Sequence, residues 1–146
     1  MSETGTRNDP FPAFRYTVRL DDLPPAGFSE CTGLQIEFEI LDHIEGGLND
    51  HVHKLPTRAK PGSISLTRGI VDRAIWDWCW DATQGRVIRR GGTIAIRPPD
   101  GGEPVLAFEF YRAIPSSWSG PPLDAASSQV AVETLELAVP VLERVT

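Results

Sequence analysis

The histidines are the side chains in this sequence best suited to binding a metal. His51 and His53 are separated by one residue, so both imidazoles would share one face of a strand, and His43 lies eight residues before His51. No cysteine lies nearby to complete a set of ligands, which favours solvent-exposed histidines over a metal site. Glu37 and Glu39 would also share a strand face and could pair as an acid and a base, but a solvated face explains them more simply.

The other motifs that could carry chemistry are also incomplete. The three Gly-Gly pairs fit neither a dinucleotide-binding loop nor a phosphate-binding loop. Ser117 begins Ser-Trp-Ser-Gly, which lacks the leading glycine of a nucleophile elbow. The basic residues Arg86, Arg89 and Arg90 could bind a phosphate, although they would also complement the dipole at the C-terminus of a preceding helix. Because no active site is assembled, we expect a protein that is not an enzyme and that uses neither cofactor nor metal.

The composition is that of a globular chain with a moderate negative charge. Its 146 residues are 40% hydrophobic and 23% charged, which excludes an intrinsically disordered protein. The net charge of −6 argues against a protein that grips nucleic-acid phosphates, although DNA could still slide past such a surface. Two cysteines are too few for a disulfide scaffold. The polar start and the lack of a long apolar run predict no signal peptide, no membrane span and assembly in the cytoplasm.

Alternating apolar and polar residues predict a mainly β protein. Residues 14–20 and 34–40 show the period of two that is typical of half-buried strands. The apolar phase changes within residues 129–139, which indicates a bulge or a strand that bends between sheets. Without β-α-β alternation, the pattern favours an antiparallel β-sandwich or small barrel of six or seven strands with one flanking α-helix. The remaining strands are predicted over residues 63–67, 93–97 and 105–111.

Two segments lie outside this β pattern. Residues 1–12 are predicted to be a flexible N-terminal arm, in which Pro10 and Pro12 favour an extended backbone around Phe11. Residues 13–146 are then long enough for a single domain. Residues 42–61 are predicted to be a long polar connection, and loops of that length are usually functional or mobile.

A single helix is predicted over residues 71–84. Apolar residues at helical spacing form one stripe, which we expect to pack against the β-core. Trp76 and Trp80 lie away from the centre of this stripe, by about 120° and about 160° respectively. Trp80 shares the polar side of the helix with Arg73 and Asp77, and contact with a second protein surface would explain this arrangement. The stripe consists of Val71, Ala74, Ile75, Trp78, Cys79 and Ala82.

Four further motifs lie in order along roughly residues 13–139. They are Gly27-Phe28-Ser29-Glu30-Cys31-Thr32-Gly33-Leu34, then Glu45-Gly46-Gly47 with Lys54-Leu55-Pro56, then Ser65-Leu66-Thr67-Arg68-Gly69, and finally Ala113-Ile114-Pro115-Ser116-Ser117-Trp118-Ser119-Gly120-Pro121-Pro122-Leu123-Asp124-Ala125. In their order and spacing they resemble the tail tube family of contractile phages and contractile injection systems. Thr57 stands where a glycine is more typical of that family, and the C-terminal end also departs from it. These departures leave open whether the chain is the repeating tube subunit or a specialised copy at one end.

The resemblance implies a structural protomer that forms hexameric rings, which stack into a hollow tube inside a sheath. The implied partners are further copies of the chain, sheath protein, baseplate or hub proteins, and cargo or DNA that passes along the lumen without sequence-specific binding. One alternative is a tube initiator or adaptor ring that joins the tube to the baseplate. Another, from a different class, is a monomeric ligand-binding β-barrel.

Within such a tube, three groups of residues are expected to make contacts. The connection over residues 42–61 is expected to order when rings stack, through Glu45, Gly46, Gly47, Asn49, His51, His53 and Lys54. The polar strand faces are candidates to line the lumen, through Arg15, Arg19, Gln35, Glu37 and Glu39. The outer side of the helix is the candidate for contact with the sheath or a neighbouring subunit, through Trp76, Trp80, Arg73 and Asp77.

Overall fold

Nine β-strands and one short helix make up the part of the chain that the computed structural model describes, which is residues 15–25, 27–43, 53–60, 62–126 and 128–146. The predicted arm over residues 1–12 lies outside this part. In chain order the elements are β1 Arg15–Leu20, β2 Glu30–Thr32, β3 Glu37–His43, β4 His53–Lys60, β5 Gly62–Gly69, α1 Ala74–Thr83, β6 Arg90–Arg97, β7 Leu106–Ser119, β8 Val132–Val139 and β9 Val141–Arg144.

Six of these strands form one curled antiparallel sheet, a half-barrel, in the order β1-β6-β7-β8-β5-β2. The short strand β9 pairs with the first half of β7, and β3 and β4 pair with each other as a separate hairpin. The predicted mainly β fold with one flanking helix is therefore confirmed. Nine strands are described, whereas six or seven were predicted from the sequence. The short β2 and β9 and the polar β4 were missed because they have little apolar alternation.

Strand β7 joins the two halves of the sheet through a bend. Its first half pairs with β6 as far as Ala113 opposite Arg90, and its second half pairs with β8 from Ile114 opposite Ala138. Arg112, next to the change of partner, has a φ of 58°, a left-handed conformation that is uncommon outside glycine. The strand that bends between the two halves is thus β7.

The predicted change of apolar phase near the end of the chain is wrong. Strand β8 alternates regularly, with Glu133, Leu135, Leu137 and Val139 all buried and the residues between them more exposed. The sequence pattern appeared to change phase because the inward-facing residue at position 133 is charged. Its burial requires a partner for the carboxylate, which Arg68 supplies across the sheet.

The hydrophobic core lies between the inner face of the curled sheet and α1. Gly92 is required within it, because a Cβ there would lie 2.3 Å from the Cζ atom of Phe110. The core side chains are Val18, Leu20, Ile64, Leu66, Ile75, Trp78, Ile94, Phe110, Ala113, Leu135, Leu137 and Val139. The alternation predicted for β1 is confirmed, because Val18 and Leu20 are buried while Arg15 and Arg19 are exposed.

The predicted connection over residues 42–61 is too long. Strand β3 continues to His43 and residues 53–60 form β4, so only residues 44–52 separate the two strands. Lys60 lies opposite Glu37 and Arg58 lies opposite Glu39, and these cross-strand pairs of opposite charge suit a strand that has few apolar residues. The helix also begins later than predicted, at Ala74, which leaves Val71 outside it and exposed.

Candidate interaction surfaces

The β3–β4 hairpin presents an uncovered apolar surface. Ile36, Phe38 and Ile40, which we call the hairpin face, are 63%, 54% and 55% exposed. The strand opposite adds Ala59 and Pro56 at the paired positions, which are also exposed. β3 and β4 pair only with each other among the described strands, and the exposure of these side chains shows that the main sheet does not cover this face. Contiguous exposed apolar side chains of this kind are typical of a protein–protein contact.

The residues predicted to line a lumen lie on two separate exposed surfaces. Arg15 and Arg19 are on the outer face of β1, at one edge of the main sheet. Glu37 and Glu39 are on β3, and Gln35 precedes that strand. The Glu39 carboxylate accepts a hydrogen bond from Arg58 Nε within the same hairpin. Their role in lining a lumen stays a prediction.

Two of the residues predicted to stack rings are described, and both lie at the start of β4. Lys54 is exposed on β4, and His53 begins that strand. The other five lie outside the described residues, namely Glu45, Gly46, Gly47, Asn49 and His51. Their stacking role also stays a prediction.

A second apolar surface is a groove between α1 and β7, which we call the tryptophan groove. The rings of Trp76 and Trp80 are stacked with centroids 6.0 Å apart, and the ring of Trp118 meets Trp76 edge-on at 4.9 Å. The groove has a volume of about 400 Å³. Its lining is completed by Cys79, Ala82, Thr83, Pro115, Ser116 and Ser117.

The angular positions of the helix tryptophans are as the sequence predicted. Trp76 and Trp80 are exposed, while Ile75 and Trp78 are buried against the core. Arg73 and Asp77 are exposed beside them and form a loose ion pair at 3.5 Å. The sequence did not indicate Trp118 as a member of this cluster, because it lies on a different element and joins the helix only through the tertiary fold.

A buried polar network lies behind the tryptophan groove. Arg68 on β5 donates from Nε to Glu133 Oε1 on β8 at 2.7 Å, and from Nη2 to Asp72 Oδ1 at 2.8 Å. Trp118 Nε1 donates to the other oxygen of Glu133 at 3.2 Å. Asp72 Oδ1 also accepts from the backbone N–H of Ala74, the first residue of α1, at 2.9 Å. The network therefore connects β5, β7 and β8 to the start of the helix.

The carboxyl of Asp72 is suited to this position at the start of the helix. The hydrogen bond from the Ala74 amide lowers its pKa, with a further contribution from Arg68 and against the opposing effect of burial. A carboxylate at this position satisfies an N–H group that has no partner within the helix. This network was not predicted from the sequence, because Arg68 and Glu133 resemble ordinary solvated charges when only their neighbours in the chain are considered.

Metal-binding chemistry finds little support in the described residues. Within them, no group of three or more His, Cys, Asp or Glu side chains could hold a metal ion. No helix in the described part of the chain is both long enough and apolar enough to cross a membrane.

Cys31 and Cys79 are free thiols. Burial, and to a lesser degree the charge of Glu133, raises the pKa of the Cys79 thiol from 9.0 to about 11.

We expect Cys79 to react slowly with alkylating reagents despite lining the tryptophan groove. At pH 8 a pKa of about 11 leaves roughly a hundredfold less thiolate than a pKa of 9.0, and the higher nucleophilicity of that thiolate offsets only part of the loss. Iodoacetamide labelling followed by peptide mass spectrometry should therefore be at least tenfold slower in the folded protein than in the urea-unfolded chain. The rate should rise between pH 8 and pH 10. Equal rates in both states would contradict this account of the groove.

A half-barrel with two uncovered apolar surfaces is typical of a structural protein that packs against other protein subunits. A comparison with known families identifies the family to which this protein belongs. Residues 12–143 match the family described as T4-like virus tail tube protein gp19. Because the match spans nearly the whole chain, the protein belongs to this tail tube family. The resemblance inferred from the sequence motifs is confirmed.

Solved structures of contractile injection systems share the fold. A chain of the PVC sheath–tube complex in the extended state, from an extracellular contractile injection system, is 23% identical with a TM-score of 0.84, covering 95% of this chain and 93% of that one. A chain of the anti-feeding prophage tube-terminating cap is 25% identical with a TM-score of 0.85, over 96% and 93%. A chain of the six-fold symmetrised anti-feeding prophage baseplate is 25% identical with a TM-score of 0.81, over 95% and 97%. No curated protein sequence matches significantly.

Proposed function

We propose that this tail tube protein is the repeating structural subunit of the inner tube of a contractile phage tail or a related injection particle, and that its hexameric rings stack around a lumen. The hairpin face is the observation that carries the proposal. Its three large apolar side chains are more than half exposed in the protomer. A second copy of the chain would bury them, and burial of apolar area is the main driving force of subunit association.

The partners in this proposal follow from the surfaces and from the proteins that share the fold. Copies of the chain pack within and between rings, and the distal residues of the hairpin contribute to stacking. The similar chains come from a sheath–tube complex and a six-fold symmetrised baseplate, which supports sheath and baseplate partners and six-fold symmetry. DNA or protein cargo passes along the lumen without sequence-specific contacts, in keeping with a net charge of −6. We infer a purely structural role without catalysis, and assembly in the cytoplasm.

A ring at one end of the tube is the second candidate. The chain is as similar to a tube-terminating cap as to the sheath–tube complex, with TM-scores of 0.85 and 0.84. Negative-stain microscopy of the purified protein distinguishes the two roles. Filaments of indefinite length support the repeating subunit, whereas single rings that do not stack support an initiator, adaptor or terminating ring.

We expect Phe38→Glu to abolish ring formation while leaving the protomer folded. Phe38 is 54% exposed, so the protomer tolerates a charge there, but a carboxylate buried against a neighbouring subunit would lack a partner. The concentration at which half of the protein is assembled should rise by about a hundredfold or more, on the order of 3 kcal/mol. Analytical ultracentrifugation at tens of micromolar and circular dichroism measure the assembly and the fold.

The matched control for this variant is Glu37→Gln, the neighbouring residue on the opposite face of β3. It should assemble like the unmodified protein, since Glu37 is already exposed and polar. Normal rings from Phe38→Glu would show that the hairpin face is not a subunit contact. A monomer from the unmodified protein would contradict the proposed tube itself.

A further inference from the structure

The tryptophan groove lacks a partner within the described protomer, and its chemistry indicates what could fill it. Three tryptophan rings, Pro115 and Cys79 form a mainly apolar groove, and its lining also includes the hydroxyl-bearing residues Thr83, Ser116 and Ser117. Grooves lined with aromatic rings bind extended proline-containing segments, because such segments need little further ordering on binding. We propose that this groove binds the Pro10-Phe11-Pro12 segment of a neighbouring copy of the chain. The proposal rests on the proposed self-assembly, since it requires a second copy.

The proposed segment is suited to the groove by its composition. It contains no charged residue, and its one large side chain is an aromatic ring that can pack against tryptophan rings. Asp9 and Phe11 each precede a proline, which restricts their backbones to extended conformations. The entropic cost of holding the segment straight in a groove is therefore reduced.

The sheet register places Arg15, the first described residue after the segment, and the groove at opposite ends of β7. Arg15, the first residue of β1, lies opposite Arg97, and the adjacent Ile96 lies opposite Leu106 at the start of β7. Trp118 lies near the other end of that strand. At ~3.3 Å per residue, the two halves of β7 on either side of its bend are each about 20 Å long.

These lengths prevent a chain from filling its own groove. Even if β7 turned through a right angle at Arg112, about 22 Å would separate Leu106 from Pro115, the first β7 residue that lines the groove, since the first half is about 20 Å long and Pro115 lies three residues past the bend. The four residues from Arg15 back to Phe11 can span at most about 14 Å. The occupant is therefore a segment of another copy, and the contact is head-to-tail.

A head-to-tail contact of this kind suits a tube. Each copy carries Arg15, from which the segment leads away, at one end and its groove at the other, so the same contact can repeat without limit or close into a ring. The exposed loop that includes Leu123 is a less suitable occupant. It follows directly after β7, so it lies at the same end of the molecule as the groove, where a head-to-tail neighbour would not present it.

Photo-crosslinking in mixed assemblies tests the proposal directly. The full chain is prepared with photoreactive benzoylphenylalanine in place of Phe11, in ordinary and ¹⁵N-labelled forms, and the two are mixed before assembly and irradiation. We expect crosslinks from position 11 to peptides that contain Trp80 or Trp118, joining light to heavy chains. Crosslinks only within one isotopic form, crosslinks to other surfaces, or no crosslinks in well-formed assemblies would each overturn the proposal.

A double-mutant cycle provides a second measurement. Phe11→Ala and Trp80→Ala should each raise the concentration for half-assembly by about tenfold, as expected for one buried aromatic anchor. The double variant should be no worse than either single variant, because both remove the same contact. Leu123→Ala, which changes a side chain that is 94% exposed outside the groove, should have no effect.

The outcomes of this cycle separate the proposal from the proposed function. Normal assembly of Phe11→Ala, or loss of assembly in Leu123→Ala alone, would overturn the segment–groove contact and leave the tube subunit intact. Failure of the unmodified protein to form rings would instead contradict the tube subunit. Additive effects of Phe11→Ala and Trp80→Ala would show that the two residues make separate contacts, and would also overturn the proposal.

Discussion

Replacing Arg68 by alanine is expected to lower the free energy of unfolding by about 3–5 kcal/mol. Arg68 and Glu133 are each 2% exposed, and the substitution would leave the Glu133 carboxylate buried without its cation. It would also remove the hydrogen bond that holds Asp72 at the start of α1. At 2–4 °C per kcal/mol, the melting temperature should fall by roughly 10 °C. Urea titration and thermal melts followed by circular dichroism measure both quantities.

Two variants make this expectation specific to the buried pair. Arg73→Ala removes an exposed arginine that also pairs with an aspartate four residues later, and it should cost no more than about 0.5 kcal/mol. Replacing both buried charges, with Arg68→Met and Glu133→Leu together, should recover most of the lost stability because no buried charge is left unpaired, since the side chain of Asp72 is 34% exposed. A melting temperature for Arg68→Ala within 2 °C of the unmodified protein, by the scale of roughly 2–4 °C per kcal/mol, would show that water satisfies Glu133 and that the network is dispensable.

Replacing Trp78 by alanine is expected to cost about 3–5 kcal/mol of folding stability. Trp78 is 2% exposed at the centre of the contact between α1 and the sheet, so the substitution leaves a large cavity. Its Nε1 also donates a hydrogen bond to the carbonyl oxygen of Ile88 at 2.7 Å, and the Arg90 guanidinium lies 5.4 Å from its ring centroid. Thermal and urea unfolding of the purified variant provide the measurement.

The matched control is Trp80→Ala, two residues away on the same helix. Trp80 is 50% exposed, so its loss should change protomer stability by less than about 0.5 kcal/mol while weakening assembly. Trp78→Phe keeps most of the apolar volume but leaves the Ile88 carbonyl without its donor, so an intermediate cost of about 1–2 kcal/mol is expected. If Trp80→Ala unfolds the protein as strongly as Trp78→Ala, Trp80 belongs to the core and the tryptophan groove is wrongly assigned.

The buried network and the tryptophan groove are physically connected. Glu133 holds Arg68 with one oxygen and the indole of Trp118 with the other, and Trp118 forms one wall of the groove. Asp72 links the same arginine to the first turn of α1, which carries Trp76. The network thus sets the distance between the helix and β7. A variant in the network that remains folded should therefore also weaken assembly, whereas Leu123→Ala, which lies outside both the network and the groove, should not.

The class of fold and the buried faces of β1 and α1 could be predicted from the sequence. Strict alternation in residues 15–20 identified the buried face of β1, because successive side chains on a strand point to opposite sides. Helical spacing likewise separated the buried Trp78 from the exposed Trp76 and Trp80. The motifs along the chain identified the tail tube family. Alternation and helical spacing are properties of short stretches of sequence, and the family resemblance depends on the order of short motifs along the chain.

Which elements contact each other becomes clear only from the folded structure. Glu133 has the appearance of a surface charge until Arg68, 65 residues earlier, is placed opposite it on the neighbouring strand. Strand β4 has no apolar alternation of its own and is a strand because β3 supplies its backbone partners and opposite charges. Trp118 completes the groove only because β7 bends towards α1. The local periodicity of the sequence predicts which face of a strand or helix is apolar. Whether that face is buried, and which charges and strands pair with it, depends on the element that the fold places beside it.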